Sequence, residues 1–279
     1  AILLLVIGLI AGVFGVLGLV GGGGMDPYEA RNGVVYIYSV AYNDQGQSES
    51  GWGTGWAIGK PGEPVQYIVT NGHVVERAYA YPKQYANITG DLKVYFSAAE
   101  NDFVAGQVVY YSAPTEKDIA IIKLPSATDK RTALRLRSSS DVKVGETVYA
   151  LGYPGTATVG QDFKTFDQDD ITLTKGVISK KMTPSFSTYD AFQMDTYISG
   201  GNSGGPLVDE NGFVVGINSA GIEASGIDIG VNYAIVSDEL IKILDSERIE
   251  YTMAGGGVSW AQPWFAYVFL PIGVLALIG

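Results

Sequence analysis

The sequence predicts an all-β domain, a sandwich or barrels, held between two apolar ends. Three observations carry this. Short Val/Ile/Tyr-rich stretches recur between turn signals, as strands of such folds do. The 279 residues include 18 tyrosines and 37 glycines, a composition that favours strands over helices. A polar, basic stretch, LPSATDKRTALRLRSSSD at 124–141, divides the strands into two groups of similar size, as two barrels with a linker would require.

In chain order, residues 1–20 (AILLLVIGLIAGVFGVLGLV) carry no charge and no polar side chain. About twenty helical residues cross a bilayer core, so a transmembrane helix is expected there. A signal-peptide core would be shorter and would lead into a small-residue cleavage site, which GGGGMDPYEA does not resemble. Gly8 and Gly12 form a GxxxG pair, which admits helix pairing and a homo-oligomer. The soluble domain follows at 28–252. Its first group, about 30–125, holds strands at 34–42, 53–59, 65–70, 92–96, 103–111 and 118–124. The second, about 138–236, holds strands at 146–153, 171–180, 191–196, 206–220 and 231–236. DENG at 209–212 reads as a hairpin turn inside the penultimate stretch. A helix at 237–248 closes the domain, with Ser237 as N-cap, acids in its first turn and Leu240, Ile241 and Leu244 as its apolar stripe. Residues 263–279 form a second uncharged run, expected to be a truncated transmembrane helix with Trp260 and Trp264 at its edge. The chain reads as a segment of a longer protein.

Composition excludes several functions. A net charge of −11 disfavours nucleic acid as a partner. The absence of cysteine excludes a disulfide scaffold, a thiol nucleophile and a thiolate-bound zinc. With one histidine, no phosphate-loop motif and no calcium-loop spacing of acids, neither a metal nor another cofactor is expected.

The polar residues that remain suggest nucleophilic catalysis. Ser203 lies in GGNSGGPLV, a glycine density that costs stability unless the backbone must bend around the serine. A serine hydroxyl is a weak nucleophile until a base removes its proton, and that base needs a third group to orient it. The lone histidine, His73 in TNGHVV, suits the base. Asp118, which opens DIAIIKL, suits the third group. The order His, Asp, Ser is that of the chymotrypsin-type barrels.

These blocks resemble the signatures of trypsin-like serine peptidases, and in detail those of the HtrA (Deg) branch. QYIVTNGHVV, VKVGETVYALGYP, TLTKGVIS and QMDTYISGGNSGGPLVDENGFVVGINSA are each similar to a conserved block of that branch, over about 53–235. The resemblance implies two six-stranded β-barrels and a membrane-held serine endopeptidase acting on polypeptides in HtrA-like quality control. It implies catalysis by His73, Asp118 and Ser203, with the N–H groups of Gly201 and Ser203 as the oxyanion hole. It puts Tyr197 and Ile198 at the floor and wall of the substrate pocket and Asn232 opposite. Ser219, Ala220 and Gly221 would pair with the substrate backbone. Asn202 stands where trypsins carry an aspartate, so pairing with a freed N-terminus is not expected. Where the branch usually has a PDZ domain, a linker at 254–262 leads to the second apolar run. The acidic domain, with few basic residues near either apolar run, is expected outside the cytoplasm. A catalytically silent module of the same fold is the alternative, against which the three intact residues argue.

Overall fold

A computed structural model of the chain describes residues 25–97, 99, 102–153, 167–185, 187–224 and 227–255, with backbone only at 220–224 and 227–230. Both expected membrane helices, 1–20 and 263–279, lie outside the described residues. Among the described residues no helix is long and apolar enough to cross a membrane.

Two β units form the domain. The first contains β1 (Val34–Asn43), β2 (Ser48–Ile58), β3 (Val65–Thr70), β4 (Ile88–Tyr95), β5 (Phe103–Ala105), β6 (Gln107–Tyr111) and β7 (Ala120–Thr128). They pair in the order β5-β4-β1-β2-β3-β7-β6. The second contains β8 (Thr147–Gly152), β9 (Thr172–Met182), β10 (Ala191–Met194), β11 (Pro206–Asp209), β12 (Val214–Ala224) and β13 (Ile227–Val236). These close into a six-stranded barrel, β10-β13-β12-β11-β8-β9.

The expected first six-stranded barrel is therefore corrected to a rolled seven-stranded sheet. The stretch at 103–111 is not one strand: it breaks at Gly106, whose N–H donates to the Leu92 carbonyl (3.0 Å). The half before the break pairs with β4 and the half after it with β7. The two edge strands are thus one residue apart in sequence, and the sheet curls until its edges nearly meet.

Side-chain alternation explains the core. Along β1, Val34 and Tyr36 pack with Trp56, Leu151, Ile217 and Ile235 between the units, while Val35 and Ile37 pack inside the first sheet with Ile68 and Ile122. Both faces of β1 are buried, which is why its sequence shows no polar alternation. Phe192, Met194, Leu207, Val215 and Ala234 fill the barrel.

Three further expectations change. The polar, basic stretch expected as a linker at 124–141 is partly strand and partly core, because β7 runs to Thr128 and Ala133, Leu134 and Leu136 are buried. Arg131 is buried as well. Its Nε donates to the Val34 carbonyl (2.6 Å), Nη2 to that of Phe96 (2.5 Å) and Nη1 to that of Lys130 (2.8 Å). The closing helix spans Ser237–Glu247, with Arg248 left-handed at its C-terminus. Ser237 does not cap it: the hydroxyl donates instead to the Arg137 carbonyl at 2.6 Å. Ile243 is buried in its stripe beside Leu240 and Leu244, whereas Ile241 is only partly buried. A helix that sequence reading did not anticipate, Gly72–Tyr79, follows β3.

Arg131 fastens the linker to the first sheet. Arg131→Met leaves buried carbonyls without a donor, each costing about 1–3 kcal/mol. We expect the urea midpoint to fall by the equivalent of roughly 3 kcal/mol, with Arg131→Lys recovering only part, since one ammonium cannot reproduce the fork. An unchanged midpoint for Arg131→Met would refute this account.

Candidate active site

His73 enters from the first unit. β3 ends at Thr70, Asn71 is extended, and His73 is the second residue of the helix Gly72–Tyr79. A Cβ on Gly72 would run into the Ser112 carbonyl, so glycine lets the segment carrying Asp118 come close. Asp118 itself is left-handed (φ +50°), a conformation that costs a non-glycine residue about 1–2 kcal/mol. Local bonds offset that cost. Its N–H donates to the Ala113 carbonyl (3.0 Å), and its carbonyl accepts from Asn71 Nδ2 (2.8 Å).

The Asp118 carboxylate is almost fully buried. Oδ1 accepts the backbone N–H of His73 (2.9 Å), and Oδ2 lies 2.9 Å from His73 Nδ1. The Ser219 hydroxyl donates to Oδ2 at 3.0 Å. A carboxylate only accepts, so Nδ1 carries the imidazole hydrogen and a neutral ring keeps its lone pair on Nε2. The His73 side chain is 35% exposed, whereas that of Asp118 is 4% exposed. Tyr189 is also buried here. Burial first, then the nearby Asp118 charge, push its phenol pKa up, against a hydrogen bond with Ser219.

Ser203 enters from the second unit, on a loop clamped from both sides. Toward the first sheet, the Thr54 N–H donates to the Ser203 carbonyl (2.9 Å) and the Thr54 hydroxyl to the Gly201 carbonyl (2.7 Å). Thr54 Oγ1 also accepts the Tyr153 N–H (3.0 Å). Toward the barrel, the Gly204 N–H donates to the Asn218 carbonyl (2.8 Å), and the Asn218 N–H to that of Gly205 (2.9 Å). Gly201 and Gly204 have φ of +100° and +86°. At Gly204 a Cβ would also strike the Thr54 carbonyl. Within the loop, Asn202 N–H donates to the Ser199 carbonyl (3.0 Å). Among the described hydrogen bonds, the N–H groups of Gly201 and Ser203 have no acceptor.

The Ser203 hydroxyl donates to the Ser219 carbonyl at 2.7 Å. Its link to His73 in this geometry runs through Ser219 and Asp118. Ser219, expected only as a partner for substrate backbone, thus also binds the aspartate with its side chain and the nucleophile candidate with its carbonyl. Thr54 and Asn71 were not among the expected site residues, although Asn71 lies in the TNGHVV block beside His73 and Thr54 in the strand expected at 53–59.

The remaining pocket candidates divide. Ile198 is buried in the barrel core. Tyr197, expected at a pocket floor, is 48% exposed, so its ring lies at the surface. In β12, Ala220 and Gly221 pair with Tyr233 and Asn232 of β13. Asn232 is 1% exposed, and neither its Nδ2 nor its Oδ1 has a partner; Thr196 Oγ1 is likewise buried and unpaired. Unmet groups of this kind cost about 1–3 kcal/mol each. No cluster of three metal-ligating side chains occurs among the described residues.

The family model described as "Trypsin-like peptidase domain" matches residues 53–217. Protease Do-like 1, chloroplastic, of Arabidopsis thaliana is 32% identical over 224 residues, covering 76% of this chain and 44% of that protein. Periplasmic serine endoprotease DegP of Escherichia coli is 32% identical over 188 residues, 66% of this chain and 34% of that protein. The chain thus spans less than half the length of either relative. Among solved structures, the HtrA-type protease AlgW with tripeptide superposes with a TM-score of 0.57 at 26% identity, covering 79% of this chain and 62% of that one.

Thr54 is the bolt between the units. Thr54→Val keeps its shape but strands the Gly201 carbonyl and the Tyr153 N–H. We expect reaction of Ser203 with a fluorophosphonate probe to slow by on the order of tenfold or more, equivalent to about 1.4 kcal/mol in barrier. Thr54→Ser should react at close to the parent rate. Parent-like labelling of Thr54→Val would show that the clamp has no bearing on the serine.

Proposed function

Because the chain belongs to the trypsin-like peptidase domain family, we propose that it is a serine endopeptidase whose base is His73, whose orienting acid is Asp118 and whose nucleophile is Ser203. The observation that carries this reading is the buried Asp118 carboxylate bound to both the backbone and Nδ1 of His73. That pairing holds the ring in the tautomer with Nε2 available to accept a proton.

In the proposed reaction, a substrate carbonyl enters beside Ser203. The hydroxyl leaves the Ser219 carbonyl, turns toward His73 and gives its proton to Nε2 as Oγ attacks the carbonyl carbon. The N–H groups of Gly201 and Ser203 bind the resulting oxyanion, a contact of the kind worth about 2.7–4 kcal/mol per donor. Imidazolium, stabilised by Asp118, protonates the leaving amine. Water then hydrolyses the acyl-enzyme by the same proton route. Polypeptides are the proposed substrates. The name of the AlgW structure, an HtrA-type protease with a tripeptide, supports this class.

The domain is proposed to work outside the cytoplasm, held to a membrane by its apolar ends. The uncharged runs at 1–20 and 263–279 support the anchors, and the periplasmic DegP relative supports the compartment. Short glycine-rich tethers at 21–24 and 254–257 would keep the active site near the bilayer. Self-association through the GxxxG pair is part of the same proposal.

Ser203→Ala and His73→Ala should each abolish casein cleavage with little change in melting temperature. The double variant should lose little more than either single one, because the residues act as a unit. Full cleavage by Ser203→Ala would sink the proposal. No carboxylate stands at Tyr197, Ile198, Ser219 or Asn232, and a buried cation without a partner is costly. A peptide library should therefore show cleavage after Val, Ala, Ile, Leu or Thr; dominance of Arg and Lys would contradict the neutral pocket. In sealed cells, external proteinase K should digest the domain, and protection until lysis would reverse the proposed orientation.

A further inference from the structure

We propose that Glu239 is a positioning residue: through its ion pair with Lys117 it holds the turn that bears Asp118 in the form that binds His73. This rests on the peptidase reading above and extends its machinery to the closing helix.

The turn between β6 and β7 has a shape of its own. The Ser112 N–H donates to the Ile119 carbonyl (2.9 Å) and the Asp118 N–H to that of Ala113 (3.0 Å). The Lys117 N–H donates to Ser112 Oγ (3.0 Å), and that hydroxyl donates to Glu116 Oε2 (3.1 Å). These bonds run within the turn, so they fix its curl but not its place against the rest of the site. Asp118 is left-handed at the end of this turn, and such a backbone persists only where its surroundings over-determine it. Two contacts reach the preceding residues from outside. The Thr188 hydroxyl donates to the Glu116 carbonyl (3.0 Å). The Lys117 ammonium donates to Glu239 Oε2.

Glu239 is a firm anchor for that second contact. It lies in the first turn of the closing helix, and its side chain is 9% exposed. The same turn is pinned to the linker. The Ser237 hydroxyl donates to the Arg137 carbonyl (2.6 Å). Asp238 Oδ1 accepts the Ser138 hydroxyl (2.9 Å) and the Ser139 N–H (3.1 Å), and Oδ2 accepts the Ser139 hydroxyl (2.6 Å). Behind it Leu240 and Leu244 are packed in the core. An ion pair between two freely moving surface side chains contributes little. This one joins a nearly buried carboxylate on a pinned turn to the residue whose peptide bond enters Asp118. Glu239 Oε1 also accepts from the exposed Lys242 (2.9 Å), which lies on the helix and has no described bond to the turn. Among the described hydrogen bonds, neither Lys117 nor Glu239 reaches His73 or Ser203. Their loss should therefore appear in the rate of the chemical step rather than in substrate binding.

The test uses the full chain, purified in detergent. In Glu239→Gln and in Lys117→Met we expect kcat for a peptide to fall on the order of tenfold while KM stays within about twofold, because slight misplacement of a catalytic group is costly. Lys117→Arg, which keeps the pair, should recover most of the rate. Lys242→Met, which spares the pair, should match the parent. The double variant Lys117→Met/Glu239→Gln should lose little more than either single one, as coupled residues do. The chain's single histidine gives a second reading. With isotopically labelled histidine, the Nδ1–H resonance reports the bond to Asp118, and solvent exchange should broaden it in both single variants but not in Lys242→Met. Parent-like kcat in Glu239→Gln and Lys117→Met would overturn the inference. So would an unchanged ring resonance, a loss confined to KM, or an equal loss in Lys242→Met. If Glu239→Gln does not fold, Lys117→Met carries the same test from the more exposed end of the pair. Fluorophosphonate labelling of Ser203 separates the two levels. A parent that labels and cleaves while both variants match it removes the Glu239 inference alone. A parent that neither labels nor cleaves removes the peptidase reading, and the inference with it.

Discussion

The buried carboxylate of Asp118 is the interaction on which the rest of the site depends. A charge taken out of water is stable only when its surroundings replace the lost hydration. Here the replacements are the backbone and ring of His73 and the hydroxyl of Ser219. The first two come from the rolled sheet and the third from the barrel. The same contacts that solvate the carboxylate therefore fix the imidazole tautomer and hold the units in register. The local geometry is arranged to permit this: Asp118 adopts a left-handed backbone, Asn71 ties down its carbonyl, and glycine at 72 admits the neighbouring segment.

Around that centre the two units are fastened by backbone groups rather than by ion pairs. Thr54 grips the serine loop through its N–H and hydroxyl, and Arg131 ties the linker to carbonyls of the first unit. Surface ion pairs contribute little by comparison. Among the partly buried pairs, Lys117 with Glu239 lies nearest the site in sequence. It joins the residue before Asp118 to the closing helix. Burial pushes the Glu239 carboxyl upward, but hydrogen bonds from Lys117 and Lys242 outweigh it and hold the pKa below the ordinary value.

Much of this was legible in the sequence, for identifiable reasons. The Val/Ile/Tyr stretches announced strands because such side chains pack well on a pleated, at least half-buried surface, and GNSGG announced a forced bend because Gly201 and Gly204 need positive φ. His73, Asp118 and Ser203 could be grouped because catalysis by serine demands such partners. What escaped reading depends on long-range contact. GHVVERAY contains glycine and paired valines, poor helix formers, yet it is helical because the strands beneath it bury Val74 and Val75. The strand at 103–111 breaks at Gly106 because its halves serve opposite edges of the sheet. Ser237 has the composition of an N-cap, but a linker carbonyl takes its hydroxyl. Nothing local distinguishes Asn232 from any other strand asparagine; its stranded amide appears only once β10 and β12 close around it.

The bond between Ser219 and Asp118 spans 101 residues of chain, and that separation has a consequence for synthesis. Ribosomes add about 5–20 residues each second, so Asp118 emerges on the order of 5–20 s before Ser219 does, and His73 earlier still. During that interval the nascent polypeptide carries a base and an acid but neither the loop that bears Ser203 nor the hydroxyl that completes the carboxylate's shell. The proposed site cannot assemble before the last strand pair closes. The connectivity thus acts as an assembly timer: the proposed site stays incomplete until the chain beyond Ser219 has emerged.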